Sequence, residues 1–390
     1  MNPGGACCII YSELQCKGCT AMKILLLSCS TGEGHNHCAL AAREALDKRG
    51  HETEFLDMMQ MFGGPGPLSF DKILNRISTK SPEVFGMMYH AGEMYSSTGV
   101  TSPVYLANTR RARQLNDFIR DNGYDAVVCS HLFPMESLTF LRRRGEAAVR
   151  CYGILSDYTC IPFLPETELD GYFLPHEDVM ADCIKAGMPA EKLFVTGMPV
   201  AEKFTVSMTK AQAREELGLP QDKKIYLVMT GGIGCGDAVT LCNTLRRIPD
   251  DSIICTLPGR NEELRFTLEE EYRGDRVMVV PFTDKVPVYM HAADVLLSKA
   301  GGISSSEAAI LGVPLVHTMA IPGVETLNAQ FFHSHGLSLF ASDASEAARF
   351  ADRLIYDSAL SGRMLAAQST CLPKDGAERI AHQIEADFSL

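Results

Sequence analysis

VLLSKAGGISSSEAAILGVPLVHTMAIPGVETLN, residues Val295–Asn328, reads as strand, glycine turn, helix, strand and loop. Val295–Leu297 is a short apolar run, as expected of a strand buried on both faces. Gly301-Gly302 permits a tight turn and lets a ligand approach bare backbone. Ser304, Ser305 and Ser306 are N-cap candidates for a helix carrying Glu307, which Gly312 ends before a second strand at Pro314–His317. A helix N-terminus beside a glycine turn exposes free N–H groups, which makes it an anion site with phosphate as its natural guest. Glu307, one turn into the helix, suits a diol such as a ribose. Glycine and serine also occur in strand–turn–helix units purely for capping, so both readings stand at this point.

The amino-terminal half repeats the pattern. Lys23–Ser28 is a buried strand, Cys29–Asn36 a glycine loop, His37–Arg49 a helix and Glu52–Asp57 the next strand. That is a βαβ unit, hence a parallel sheet with a right-handed crossover. Further strands are expected at Tyr124–Ser130, Cys151–Leu155, Asp170–Leu174 and Phe194–Gly197, which makes His131 and Asp157 strand-end residues in a cleft. A carboxylate at Asp157 could take a proton or pin a loop. The carboxyl-terminal half starts again with a helix at Lys210–Leu217 and a strand at Lys224–Thr230, then a second glycine loop, Gly231-Gly232-Ile233-Gly234. Two such loops in separate halves speak for phosphate binding more strongly than one. The chain therefore reads as α/β, two doubly wound parallel-sheet (Rossmann-like) domains facing a cleft. The expected divisions are a disordered extension over 1–21, domains over 22–203 and 204–372, and a final helix over 373–390 packing back on the first domain.

The motifs also carry a family resemblance. Lys299–Ala308, Gly312-Val313-Pro314 and Pro322-Gly323-Val324-Glu325 with Asn328 resemble the donor-site signature of GT-B nucleotide-sugar glycosyltransferases. Within these they are most similar to family 28: monogalactosyldiacylglycerol synthases, processive diacylglycerol glucosyltransferases and, more distantly, the peptidoglycan N-acetylglucosaminyltransferase. Ser30-Thr31-Gly32-Glu33-Gly34-His35 matches that family's first loop, and Asp157-Tyr158-Thr159 matches its lipid-glycosylating members. One departure stands at Val324, where the family carries a glutamine amide. The resemblance implies transfer of a hexose from a UDP-sugar to a lipid acceptor such as diacylglycerol. It places Gly231, Gly232 and Gly234 against the diphosphate and Phe282 and Thr283 against the uracil. Gly301, Gly302, Ser304, Ser305, Glu307, Gly323, Glu325 and Asn328 complete the donor site. His35 lies near the reaction centre, where a histidine orients or deprotonates an acceptor hydroxyl; its plainer role is to cap a helix. No Asp-x-Asp motif occurs, so no cofactor and no obligatory metal is expected. Two rival readings are a UDP-sugar 2-epimerase-like enzyme and a non-catalytic nucleotide-sugar binder, the latter favoured by Val324.

Composition bounds the rest. A net charge of −12 over 390 residues makes nucleic acid an unsuitable partner. No apolar run approaches the roughly 20 residues a membrane helix needs, and no secretory signal is visible. The 14 cysteines are scattered through expected strands and helices, as reduced cytoplasmic thiols would be. Cys7, Cys8, Cys16 and Cys19 include one C-x-x-C that no second pair completes. Met58–Val104 is rich in Met and aromatic residues, among them Phe70, Ile73, Leu74, Ile77, Phe85, Met87, Met88 and Tyr89. These suit either a core or an adaptable surface facing lipid. Peripheral contact with the inner face of the cell membrane would then rest on local basic clusters such as Arg110, Arg111 and Arg113 or Arg142–Arg144.

Overall fold

The computed structural model describes residues 21–29, 33–61, 82–96, 98–232, 238–318 and 322–389. The expected extension and its cysteines, Ser30–Gly32, the Gly63–Pro67 stretch with Phe70 to Ile77, and Ile233-Gly234 lie outside the described residues. Two six-stranded sheets organise the rest, each entirely parallel. The first contains β1 (Lys23–Ser28), β2 (Glu52–Asp57), β3 (Ala126–Cys129), β4 (Arg150–Ile154), β5 (Gly171–Leu174) and β6 (Leu193–Val195), in the order β2-β1-β3-β4-β5-β6. The second contains β7 (Ile225–Met229), β8 (Ile253–Leu257), β9 (Val277–Val279), β10 (Val295–Ser298), β11 (Leu315–His317) and β12 (Leu339–Phe340), in the order β12-β11-β10-β7-β8-β9. Each order reverses beside its first strand, which opens a crevice at the strand carboxyl ends where such sheets take ligands.

The strands are apolar because both faces are covered: every residue of β3, β5 and β10 is buried. The last helix, Gly376–Phe388, leaves the second half and packs along helix Glu33–Lys48. Glu385 on it takes Arg49 and, at 3.0 Å, His51 Nε2, while Asp387 accepts from the Tyr152 hydroxyl. One apolar core cluster runs through both halves, from Leu25 and Val128 to Leu296 and Phe332.

Three local readings change. The first helix begins at Glu33 rather than His37, so His35 sits in a first helical turn, not a loop. The donor-side helix begins at Gly302, with Gly301 as its N-cap. Ser304, Ser305 and Ser306 are therefore inside the helix and cap nothing. A Cβ at Gly302 would collide with the Ser156 carbonyl oxygen, so its glycine answers the first sheet's backbone. The arginines Arg142, Arg143 and Arg144 each meet a carboxylate, Asp170, Glu168 and Glu146 respectively, and present no unpaired basic face to an anionic surface.

Candidate functional site

The crevices face one another and enclose a cavity of about 780 Å³. Its second-half wall is made by strand ends: Gly231-Gly232 after β7, Gly259-Arg260 after β8, Phe282-Thr283 after β9 and Lys299 to Ser304 after β10. Its first-half wall is Glu33, Gly34 and His35 after β1, His131 after β3, and Ser156-Asp157 after β4. The first N–H groups of helix Gly302–Leu311 have no intrahelical acceptor, and Gly301 offers open space beside them. The anion site expected from sequence falls at this helix start.

Glu307 lines the cavity yet is only 4% exposed. Burial pushes its carboxyl up to about 8, with Lys203 pulling weakly the other way. Among the described residues no hydrogen bond satisfies this carboxyl.

His35 is held from two sides. Its Nδ1 lies 2.9 Å from the Ser130 carbonyl, which can only accept, so Nδ1 carries the proton and Nε2 the lone pair. Ser156 Oγ stands 3.0 Å from the same nitrogen and donates to Asp157 Oδ2 at 3.0 Å. Burial lowers the His35 pKa, and the Asp157 charge and the Ser130 carbonyl offset this only in part. Asp157 Oδ1 accepts from Asn328 Nδ2 at 2.8 Å, so both its oxygens are engaged. His131 also faces the cavity but acts as a cap: its Nδ1 accepts from the Phe133 N–H at 3.2 Å, starting helix Leu132–Arg143. Burial and then His35 hold the His131 ring neutral, edge-on to His35 at 4.7 Å.

Of the residues singled out from sequence, His35, His131 and Asp157 come together with Gly231, Gly232, Phe282, Thr283, Gly301, Gly302, Ser304, Glu307 and Glu325 around the cavity. Gly234 lies outside the described residues. Ser305, Gly323 and Asn328 do not line it. Ser305 is fully buried and bonded to His317 Nε2 at 2.8 Å, and burial lowers His317 to about 3. Gly323 takes φ 102° with the Tyr89 ring against it. Asn328 binds Asp157, the Tyr158 N–H and the Ala300 carbonyl, and so bolts the halves together. Among the cavity residues not expected from sequence are two cations, Arg260 and Lys203. Arg260 lies 4.1 Å over the Phe282 ring and pairs with Glu33 across the crevice at 3.4 Å. Lys203 faces the cavity from the crossing segment. Arg260 did have a signal, an arginine directly after Pro258-Gly259 at a strand end. Glu325 is paired with Lys299 at 2.5 Å.

Two family models divide this architecture between them. The one described as monogalactosyldiacylglycerol (MGDG) synthase matches residues 35–200, and the glycosyltransferase family 28 C-terminal domain matches residues 245–384. The chain is a glycosyltransferase with a family-28 carboxyl-terminal domain. A processive diacylglycerol beta-glucosyltransferase of Bacillus mycoides (strain KBAB4) is 27% identical over 341 residues, 86% of each chain. Among solved structures, the S. aureus MnaA–UDP complex superposes with a TM-score of 0.64 at 14% identity, over 95% of this chain and 97% of that one. MurG of Acinetobacter baumannii gives 0.61 at 14% identity, over 94% and 99%. Both establish the GT-B fold of this glycosyltransferase and nothing finer. Among its described residues no helix is long and apolar enough to cross a membrane.

Proposed function

We propose that this glycosyltransferase moves a hexose from a UDP-sugar to the hydroxyl of a lipid acceptor such as diacylglycerol, with no obligatory metal. One observation carries the reading. The cavity that holds the Gly301–Gly302 helix start is walled on its other side by Phe85, Met88, Tyr89, Ile161, Pro162 and Phe163. That apolar wall continues outward along helix Pro82–Ser96 to Met87, 65% exposed, and Met94, 74% exposed. A charged donor and a greasy acceptor thus have adjoining places, and the exposed methionines suit peripheral contact with the inner membrane face. The relatives' name as diacylglycerol glucosyltransferases supports the acceptor and makes glucose the first donor to test. UDP in the S. aureus structure supports the nucleotide.

In this reading the acceptor hydroxyl attacks the anomeric carbon, its proton passes to His35 Nε2, and UDP leaves with the bonding electrons. Helix N–H groups, the glycine loop and Arg260 stabilise the diphosphate charge without a metal. The Ser156–Asp157 relay steadies the imidazolium that forms, so Asp157 is a positioning residue rather than the base. Glu307 accepts from the ribose hydroxyls.

The test is transfer of radiolabel from UDP-glucose, UDP-galactose and UDP-N-acetylglucosamine into diacylglycerol vesicles, with Glu307→Ala and His35→Ala alongside. Label in the lipid fraction, lost in both variants, is the expected result. Label in a water-soluble epimerised sugar supports the 2-epimerase reading instead, and UDP binding without turnover supports the non-catalytic one.

A further inference from the structure

Helix Val324–Ser334 ends in a cluster that the transfer chemistry does not use. His335 follows it, and facing His335 from the first half are His176 and Asp178 at the start of helix Glu177–Lys185. One ligand atom from each of His176, Asp178 and His335 lies within 4.8 Å of the others. His335 Nε2 stands 3.2 Å from Asp178 Oδ2, and His176 Nδ1 3.5 Å from Asp178 Oδ1. Ligands at about 2.0–2.1 Å around a tetrahedral zinc ion are separated by roughly 3.3 Å; the two histidine–carboxylate gaps are close to this, each to a different oxygen of Asp178, and a small rotation of its carboxylate would bring one oxygen to both rings.

The outer bonds match as well. His335 Nδ1 lies 2.9 Å from the Phe331 carbonyl, which fixes its proton there and turns the Nε2 lone pair toward Asp178. With Nε2 as an acceptor facing a carboxylate oxygen, the 3.2 Å gap calls for a proton or a metal ion between them. His176 Nε2 lies 3.5 Å from Cys371 Sγ, a partner for its other ring proton when Nδ1 binds a metal. Nδ1 now accepts from the Asp178 N–H at 3.1 Å as the cap of helix Glu177–Lys185, a bond that a metal on Nδ1 would displace. Phe331 screens the cluster, tilted on His335 at 4.3 Å and edge-on to His176 at 4.8 Å.

We propose that His176, Asp178 and His335 form a divalent-metal site, zinc by ligand type, that clamps the two domains together at the end of helix Val324–Ser334 opposite Asn328. Two imidazoles and one carboxylate leave a fourth position for water. None of the three lines the cavity, so the site is separate from catalysis.

The test uses the full chain, reduced and chelator-stripped, titrated calorimetrically with Zn²⁺ alone. His335→Ala and Asp178→Asn are run in parallel, with unfolding midpoints measured in chelator to show that each variant folds. The expected result is one zinc per wild-type chain and a raised midpoint on zinc addition. Affinity at that site falls about 100-fold or more in each variant. Co²⁺ substitution should give tetrahedral d–d bands without a thiolate charge-transfer band. No zinc uptake by the wild type overturns the proposal, since the cation is then a proton in an Asp178–His335 ion pair. Equal uptake by wild type and variants, or a thiolate band, overturns it too by assigning the metal to cysteines elsewhere.

Discussion

At the residue scale the arrangement around His35 makes a pH argument. Burial lowers its pKa below the ordinary 6.5, and a base works only unprotonated. Transfer should therefore hold as pH falls past neutrality and fail only on an acid limb below 6.5. A pH–rate profile whose basic form appears above pH 7 would count against His35. His35→Ala should lower kcat by roughly 10²–10⁴-fold and leave UDP affinity unchanged, as single-turnover and binding measurements will show. Glu307 argues in the opposite direction. Its carboxyl is raised from 4.5 to about 8, so between those values the unfolded chain releases a proton that the folded chain keeps. The ligand-free fold therefore loses stability as pH rises through that interval. Glu307→Gln should remove this slope, raising the unfolding midpoint at pH 8 more than at pH 5, while weakening UDP binding by about 10-fold or more. A midpoint change equal at both pH values would contradict the assignment. The chemistry of both residues was legible as residue type at a strand end or helix start. What sets their protonation, burial at both with Asp157 and the Ser130 carbonyl at His35 and Lys203 at Glu307, comes from distant segments and left no mark on local sequence.

At the element scale, helix Val324–Ser334 is the part whose role changed most. Its motif reads as donor contact, yet Asn328 is fully buried and spends its amide on Asp157, Tyr158 and Ala300. Phe331, three residues on, stacks on Tyr158 at 4.4 Å, and the Tyr158 hydroxyl meets Ser306 Oγ at 2.7 Å. The helix is a strut across the crevice. Asn328→Ala leaves a buried N–H and a carboxylate oxygen unpaired, so a loss of about 2–4 kcal/mol is expected. Urea unfolding would measure it; a change under 1 kcal/mol would mean the bolt carries no strain. Boundaries of most strands were readable to within one or two residues because buried β-branched and leucine runs end abruptly, although the strand at Val277 stops at Val279 and the two-residue strand Leu339–Phe340 went unread. Helix starts were less readable. Serine is a good cap in isolation, but Gly301–Gly302 is forced into the first turn by the approach of Ser156.

At the scale of the whole molecule, the exposed methionines of helix Pro82–Ser96 and the apolar cavity wall form one path. Its inner side touches the donor loop, since Gly86 lies against Pro322 and Tyr89 against Gly323. Met87→Glu with Met94→Glu should cut partitioning to diacylglycerol vesicles by about 10-fold or more, because each puts a charge where an exposed methionine would enter the lipid. UDP affinity should not change. Co-sedimentation and nucleotide titration separate the two, and equal sedimentation of variant and wild type would remove the membrane surface from the reading.

Periodicity and punctuation settled what is local. Two runs of alternating strand and helix with glycine at the strand ends were enough for two parallel sheets, since buried parallel strands and glycine turns each demand particular residues in sequence, while the nucleotide-sugar site was implied only by the resemblance of the Lys299–Ala308 and Pro322–Asn328 phrases. Only the tertiary structure decided which of those residues face the cavity. Ser305, Gly323 and Asn328 turn away from it. Arg260 and Lys203 enter it, and Glu33 reaches it to pair with Arg260. The physical reason is that a side chain's partners are chosen where two domains meet. Desolvation, charge pairing and close backbone approach act there between residues more than a hundred positions apart.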